Sequence, residues 1–573
     1  MRKTRIWQVG AVAAALVVAG CSSSGSGAGS GSGAGSGTSG SGTSAGTSGS
    51  SAGSGSSSGS GTASSNASAA SGDLVAGGTA TIVIVHDPGN LDPAGANATD
   101  QTNQFLSPFA YDNPVALDSK GDLQPQVASK WTVTSLTEYV LTIRKDVTCS
   151  DGSPLTAKTV ADDINYVGDP ANQSPLIDVS VPKDAKAVAD DSASTVTVTL
   201  AAPNAFFLQN LATLPLVCDK GLADRSTLAT ASDGSGPYVL TEAVANDHYT
   251  YTLRDGYTWG AGGATTAEKG MPATIVMKVV SDETTAANLL LNGQVNIAAV
   301  TGADQARLEA AKLFHVDQLL VQGELWFNEL DGTPASDKAV RTALTQALDL
   351  TTLAKVGSAG KAVTPDGLVP QPRTCKGDTV AGNLPSFDMD AAKAGLDAAG
   401  WKAGADGIRA KDGKPLAITL LYADGNLSET DSAAEYAAQQ WKQLGADVTL
   451  EKKPKDQRNA VMLADNAKTW DVMFLALQVS NPAMAIPFLS GTFPSKGINF
   501  GHLTNQTYQD EIAKANAKSG AEGCDNWNAA EEALYKNVDM VPFADVPTPT
   551  WGKNITFEMS PVFLIPTSLR MHG

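Results

Sequence analysis

Cysteine and histidine are scarce in this chain, with five of each among 573 residues, and aromatic residues make up only 6%. The histidines, His86, His248, His315, His502 and His572, are scattered and form no H-E-x-x-H, and no Cys-x-x-Cys occurs. Neither a structural nor a catalytic zinc site is indicated, so no metal is expected. A Walker-type G-x-x-x-x-G-K-[ST] is missing too, so any energy coupling must come from another protein. No clustered set of titratable groups marks a catalytic centre, and we assign no catalytic residue and no cofactor. Positive charge is in short supply: 40 Lys and Arg stand against 59 Asp and Glu, a net of -19. This argues against nucleic acid as a partner.

Long apolar runs are equally rare. The one near the start, Ile6 to Gly20, follows Arg2, Lys3 and Arg5 and matches a secretory signal over residues 1–20, too short for a retained membrane helix. Val18-Ala19-Gly20-Cys21 resembles the lipobox of bacterial lipoproteins, which implies a lipid on Cys21; a plain secretory signal with a chance cysteine is the alternative. Several acyl chains on one residue would hold the protein at a membrane surface.

From Ser22 to Gly72 only Ser, Gly, Ala and Thr occur, apart from Asn66. Such a segment has no apolar surface to offset chain entropy, and as a coil it would reach roughly 40 Å. Residues 21–77 thus read as a lipidated cysteine and its tether. Removing the signal leaves 37 basic residues and a net charge of about -22. The four cysteines of the body form an even set, as expected of an exported protein. Proximity along the chain favours Cys149 with Cys218 and Cys375 with Cys524 among three pairings, with free buried thiols as the alternative.

The body mixes strand and helix signals. ATIVIV (80–85) reads as a buried strand, Tyr139, Leu141 and Ile143 as one face of another, and Val196, Val198 and Leu200 as one face of a third. Val340, Ala343, Leu344, Ala347 and Leu348 recur with helical spacing behind a Ser336 or Asp337 cap. FDMDAAKAGLDAAGW predicts a helix capped by Asp388 or Asp390 and stopped by Gly400. SDETTAANLLLNGQVNIAAV predicts helix, Asn-Gly turn and strand. A mixed α/β body follows.

In order, the chain carries NLDPA (90–94), QPQVASKW (124–131), CSDGSPLTAKTVADDINYV (149–167), APNAFFLQNLA (202–212), GSGPYVL (234–240), LRDGYTWG (253–260), NGQVNIA (292–298) and LWFNELDGTPASDKAVRTALTQALD (325–349). This series resembles the family-5 extracellular solute-binding proteins that feed peptide, dipeptide and nickel ABC importers. In the third motif Thr159 stands where the family has aspartate, which is expected to weaken capping by Thr156. The resemblance implies a two-lobed, periplasmic-binding-protein-like fold of the class II type, with a hinge and an extra subdomain in the first lobe. By motif order, residues 78–112, 235–315 and 541–573 would form lobe I, 113–234 its subdomain, and 316–540 lobe II.

The resemblance also implies a monomer that encloses a small molecule or peptide and presents it to an ABC permease and its ATPase subunits, on the extracytoplasmic face of a cell membrane. Its ligand contacts would be Phe109 and Tyr111 on the first-lobe wall, Trp326 and Asn328 on the hinge strand, Gln478, Ser480 and Asn481 in the loop after WDVMFLALQ, and Asn499 and Phe500 beyond it; packing is the alternative for each. Where the family has an aspartate to meet a peptide's amino terminus, VSNPAMAIPFL is neutral, while Asp471 falls inside the preceding strand. An ammonium buried without a counter-ion costs several kcal/mol, roughly, so modified peptides, sugar-like ligands and other neutral solutes gain weight. A secreted lipoprotein hydrolase using the same cleft, or a surface sensor or adhesion protein of the same fold, stands as the alternative.

Overall fold

Alternating and continuous apolar runs fold into one ten-stranded sheet in the computed structural model, which describes residues 72–573 except Asn426. The signal segment, Cys21 and nearly all of the tether lie outside the described residues. The strands are β1 (Thr79–Ile84), β2 (Tyr238–Val244), β3 (His248–Leu253), β4 (Thr274–Val279), β5 (Ile297–Ala299), β6 (Phe314–Phe327), β7 (Ala417–Tyr422), β8 (Asp447–Lys452), β9 (Val472–Leu475) and β10 (Met540–Gly552). Their order across the sheet is β8-β7-β9-β6-β10-β5-β1-β4-β3-β2.

Two separate cores flank the middle of this sheet. Ile82, Ile275, Met277, Phe109 and Tyr238 pack together in the first lobe. In the second, Leu325, Val340, Leu344, Leu420 and Trp441 pack on one face of the strands, and Trp326, Met473, Trp527 and Met540 on the other. The helix Lys338–Gln346 buries Val340, Ala343 and Leu344, and the Asp337 carboxylate caps it by accepting from the Ala339 N–H at 2.9 Å. Met389–Ala398 is capped by Asp388 and followed by Gly400 in the left-handed region.

A third core sits under a smaller antiparallel sheet made of Ala128–Ser135, Glu138–Ile143, Thr195–Thr199 and Lys186–Asp190. Tyr139, Leu141 and Ile143 point into it, against the helix Ala157–Gly168. The cap of that helix corrects the expectation for Thr159. Its hydroxyl accepts from the Thr156 N–H (3.2 Å) while the Thr156 hydroxyl accepts from the Thr159 N–H (3.3 Å), so a threonine completes the reciprocal cap as a longer acid would. Cys149 is bonded to Cys218 in this unit and Cys375 to Cys524 in the second lobe, so neither bond crosses between the lobes.

Within the large sheet the lobes are joined by β6 and β10, which pair antiparallel from Phe314 opposite Gly552 to Trp326 opposite Met540. β10 meets β5 at the first-lobe end, and β6 meets β9 at the second. Midway the ladder is irregular: Gln322 and Phe543 fall out of the one-to-one pairing, and Pro542, Pro547 and Pro549 lack the N–H that a strand would donate. Gly323 lies where the Phe543 ring crosses, and a Cβ there would stand 2.9 Å from the Ala544 Cβ and closer still to that ring.

One residue beyond, Glu324 is fully buried. Its Oε2 accepts from Trp326 Nε1 (2.9 Å) and the Leu477 N–H (2.8 Å), while Oε1 has no partner among the described residues. Burial, reinforced by the nearby Asp545 carboxylate, pushes its acid up to about 8 against the pull of those two donors. Asp545 is likewise raised, to about 7, by burial and by Asp366.

Two outcomes follow from this ribbon. Gly323→Ala should destabilise the second lobe by about 1–3 kcal/mol through overpacking, read as a lower urea midpoint. Glu324 holds its proton more tightly folded than unfolded, so the native state loses stability as pH rises from about 4.5 through 8. Glu324→Gln removes that loss, and its stability relative to the parent should climb between pH 5 and pH 8 in thermal melts; a pH-independent difference would contradict the assignment.

Candidate functional site

Between the lobes the chain leaves a cleft of about 1410 Å³, larger than the usual range for small-molecule pockets, which runs to roughly 1,000 Å³. Phe314, Val316 and Gln318, at alternate positions of β6, form part of its floor. The first-lobe wall comes from Thr556–Ser560 and Arg570 together with Asp118–Lys120, and the opposing wall from Thr364–Asp366 and Lys376–Asp378. Its charges are mixed, with Asp118, Asp317, Asp366, Asp378 and Glu558 facing Lys120, Lys376 and Arg570.

Most of these groups are already engaged. Glu558 accepts from the Ser119 hydroxyl at 2.8 Å, Asp366 pairs with Arg373, and Lys376 bridges to Asp122 at 2.9 Å. Asp317 lies 3.8 Å from His315, and burial nevertheless raises its acid. Phe314, Val316, Phe557, Met559 and Ile565 add apolar surface between these groups, so the lining suits a solute with both polar and apolar parts. Among the described residues no group of three His, Cys, Asp or Glu is placed to hold a metal.

The small-sheet unit also meets the second lobe along a second seam. Phe206, from the APNAFF stretch, is buried among second-lobe residues with its ring 5.5 Å from that of Trp527. The Gly520 N–H donates to the Ala205 carbonyl (2.7 Å), and Asn481 Nδ2 donates to Asn210 Oδ1 (3.4 Å). With the Lys376–Asp122 bridge, these contacts join the small-sheet unit to the second lobe.

The sequence-derived contacts are spread over four places. Phe109 is in the first-lobe core, against Tyr238 and Tyr251. Tyr111 is buried beside it, its hydroxyl accepts from the Asp233 N–H (3.4 Å), and burial raises its phenol. The adjacent Asp112 ties the small-sheet unit to the first lobe by accepting from Gln126 Nε2, the hydroxyls of Tyr257 and Ser235 and Trp259 Nε1, and burial still lifts its acid to about 6.

Trp326 and Phe500 stack 4.9 Å apart in the second-lobe core. Asn328 donates to the carbonyls of Ala467 and Trp470 at 2.8 and 2.9 Å, and Asn499 to those of Gly491 and Leu503. Both amides are fully buried, and these bonds pin loops of the lobe. Asp471 accepts from the Thr419 N–H (2.8 Å) between β9 and β7, where burial raises it to about 6.

Gln478, Ser480 and Asn481 stay together on the loop after β9. Gln478 and Ser480 are exposed; Gln478 donates to the Val321 carbonyl at the hinge and Ser480 to Met484 Sδ. Because β7 runs parallel to both β8 and β9, the loops after Tyr422, Lys452 and Leu475 leave by one edge of the second lobe. Ligands of open α/β sheets sit outside such carboxyl ends. Sequence reading did not single out the cleft walls at 364–378 and 556–570. The first is rich in Pro and Gly and has no helix or strand period, which is the signal that marks it as a functional loop.

Comparison with known proteins accords with this architecture. Residues 122–500 match the family model described as bacterial extracellular solute-binding proteins, family 5 Middle. The nickel-binding periplasmic protein of Escherichia coli (strain K12) is 28% identical over 385 residues, 63% of this chain and 69% of that protein. The periplasmic murein peptide-binding protein MppA of the same strain is 25% identical over 504 residues, 80% and 86% of the two chains. The solved structure of HbpA2 from Haemophilus parasuis superposes with a TM-score of 0.73 at 18% identity, covering 86% of this chain and all of that one. A cleft lying over a two-strand ribbon and a family match across most of the folded body lead to one assignment: the chain belongs to the bacterial extracellular solute-binding proteins of family 5.

Proposed function

We propose that this protein is a membrane-tethered receptor that captures a small polar solute between its lobes and delivers it to an ABC permease driven by its ATPase subunits. The observation that carries this reading is the 1410 Å³ cleft, whose two walls belong to different cores joined by β6 and β10. A solute bridging both walls favours the closed arrangement by its differential affinity, and a permease that reads the closed shape then responds to occupancy. The receptor works as a monomer and alters no bond of its cargo.

The relatives are named for nickel and for murein peptide. For this chain the neutral loop Gln478–Asn481 supplies no fixed negative charge for a free ammonium, which favours modified peptides, sugar-like solutes and others without a free amine. The lipobox-like Val18–Cys21 and the Gly/Ser tether support anchoring at the extracytoplasmic face, with the body free to range over roughly 40 Å. No described helix is long and apolar enough to cross a membrane, so the anchor would rest on Cys21.

Incubating the soluble body with peptide and glycan pools should recover one intact ligand per chain by native mass spectrometry, with a smaller radius of gyration in solution scattering. A product of altered mass that accumulates with time would instead identify a hydrolase, and no retained ligand in any pool would favour a sensor or adhesion role. In a lipoprotein-producing bacterium the parent chain should incorporate labelled palmitate and sediment with membranes, whereas Cys21→Ala should do neither; equal partition of the two forms would remove the anchor from the proposal.

A further inference from the structure

Four arginines of the described chain are almost completely buried, and three have carboxylate partners. Arg341 lies 3.3 Å from Glu329, Arg373 is paired with Asp366, and Arg409 lies 2.9 Å from Asp397. Arg458 is the exception. It is 1% exposed, yet its only side-chain acceptor is the neutral Oδ1 of the adjacent Asn459, and Nη1 has no partner among the described residues. A guanidinium held in that state lacks the charge that normally offsets its desolvation.

A second cation points the same way. Arg458 belongs to the helix Lys455–Met462, which follows β8, and Lys455 precedes it by three residues on the same helical face. Lys455 forms no salt bridge or hydrogen bond among the described residues, and burial and the neighbouring Arg458 both push its ammonium down. Gly425, in the loop after β7, leaves the space that this ammonium occupies: a Cβ there would stand 2.9 Å from Nζ. The first turn of the helix adds N–H groups that no side chain caps, since Pro454 holds the N-cap. Two like charges and an uncapped helix end, whose first turn also carries Asp456, therefore meet at the carboxyl edge of β7 and β8, the edge that also bears the Gln478–Asn481 loop.

We propose that Lys455 and Arg458 form an anion-recognition subsite for a carboxylate or phosphate group on the transported solute. This rests on the receptor reading and narrows it to solutes that bring a negative charge to the second lobe. A carboxylate or phosphate oxygen pair matches the fork of a guanidinium, and the arriving anion supplies the counter-charge the fold omits.

The test is thermal unfolding of the soluble body in sodium chloride, acetate and inorganic phosphate at equal ionic strength, with acetate reporting carboxylate recognition and phosphate the alternative. The parent should gain about 3 °C in at least one of the two anions over chloride. Arg458→Gln should lose that gain, which separates it from the general salting effect that every variant shares. Lys455→Gln, at a half-exposed position, should at least halve it, and this variant decides the question should Arg458→Gln fail to fold. Equal anion responses in the parent and either variant would overturn the proposal. Because the probes are small anions, that failure would leave intact any closure seen with recovered solutes, and absence of closure would not be mistaken for loss of the subsite.

Discussion

The join between the two lobes depends on the pairing of β6 with β10. These two strands must be long enough to serve both cores, and regular enough at their ends to join each half of the sheet. They must also be weak enough in the middle to bend. The chain meets these demands by placing Gly323, an unpaired Gln322 and Pro542 in or next to the irregular stretch, with Pro547 and Pro549 further along β10, while Leu325, Trp326, Val541 and Phe543 bury the second-lobe end in its two core layers. Missing ladder bonds lower the cost of a change in crossing angle, whereas packed ends keep each lobe rigid.

Polar groups inside the molecule sort into those the fold satisfies and those it does not. Asp112 receives four donors and welds the small-sheet unit to the first lobe. Arg341, Arg373 and Arg409 stitch loops to strands through carboxylates and carbonyls. By contrast, Glu324 at the hinge and Arg458 at the second-lobe edge each keep an atom unpartnered among the described residues. An orphaned buried polar atom costs stability, which is why most such groups in the fold are paired. Arg225, Arg254, Glu329, Trp470, Trp527, Tyr535 and Asp545 also keep such an atom, so it is the net charge left uncompensated at Arg458, rather than the orphan atom alone, that sets that residue apart.

The neutral loop after β9 and the cationic edge after β8 bear on the same question of cargo. One withholds the negative charge that a free amine needs, and the other presents positive charge without a protein counter-ion. These loops of one parallel set thus differ in sign from the cleft walls, where carboxylates outnumber cations.

Much of the fold was legible along the chain. Strand faces such as Tyr139-Leu141-Ile143 and the helix stripe Val340-Ala343-Leu344 were readable because burial repeats with the period of the local backbone. The neutrality of Gln478–Asn481 was readable too, since it is a property of residue type alone. Ligand contacts were not: Trp326 and Asn328 alternate as cleft-facing residues would, yet Trp326 faces a core layer beneath the helix Cys524–Asn537 and Asn328, just past the end of β6, pins the carbonyls of Ala467 and Trp470, and no pattern within the strand reveals what covers it. Composition and periodicity by themselves determined the mixed α/β class and the sign of the charges available. Only the tertiary structure decided which walls face one another across the cleft and which buried charge lacks a partner, because both depend on distances between segments hundreds of residues apart.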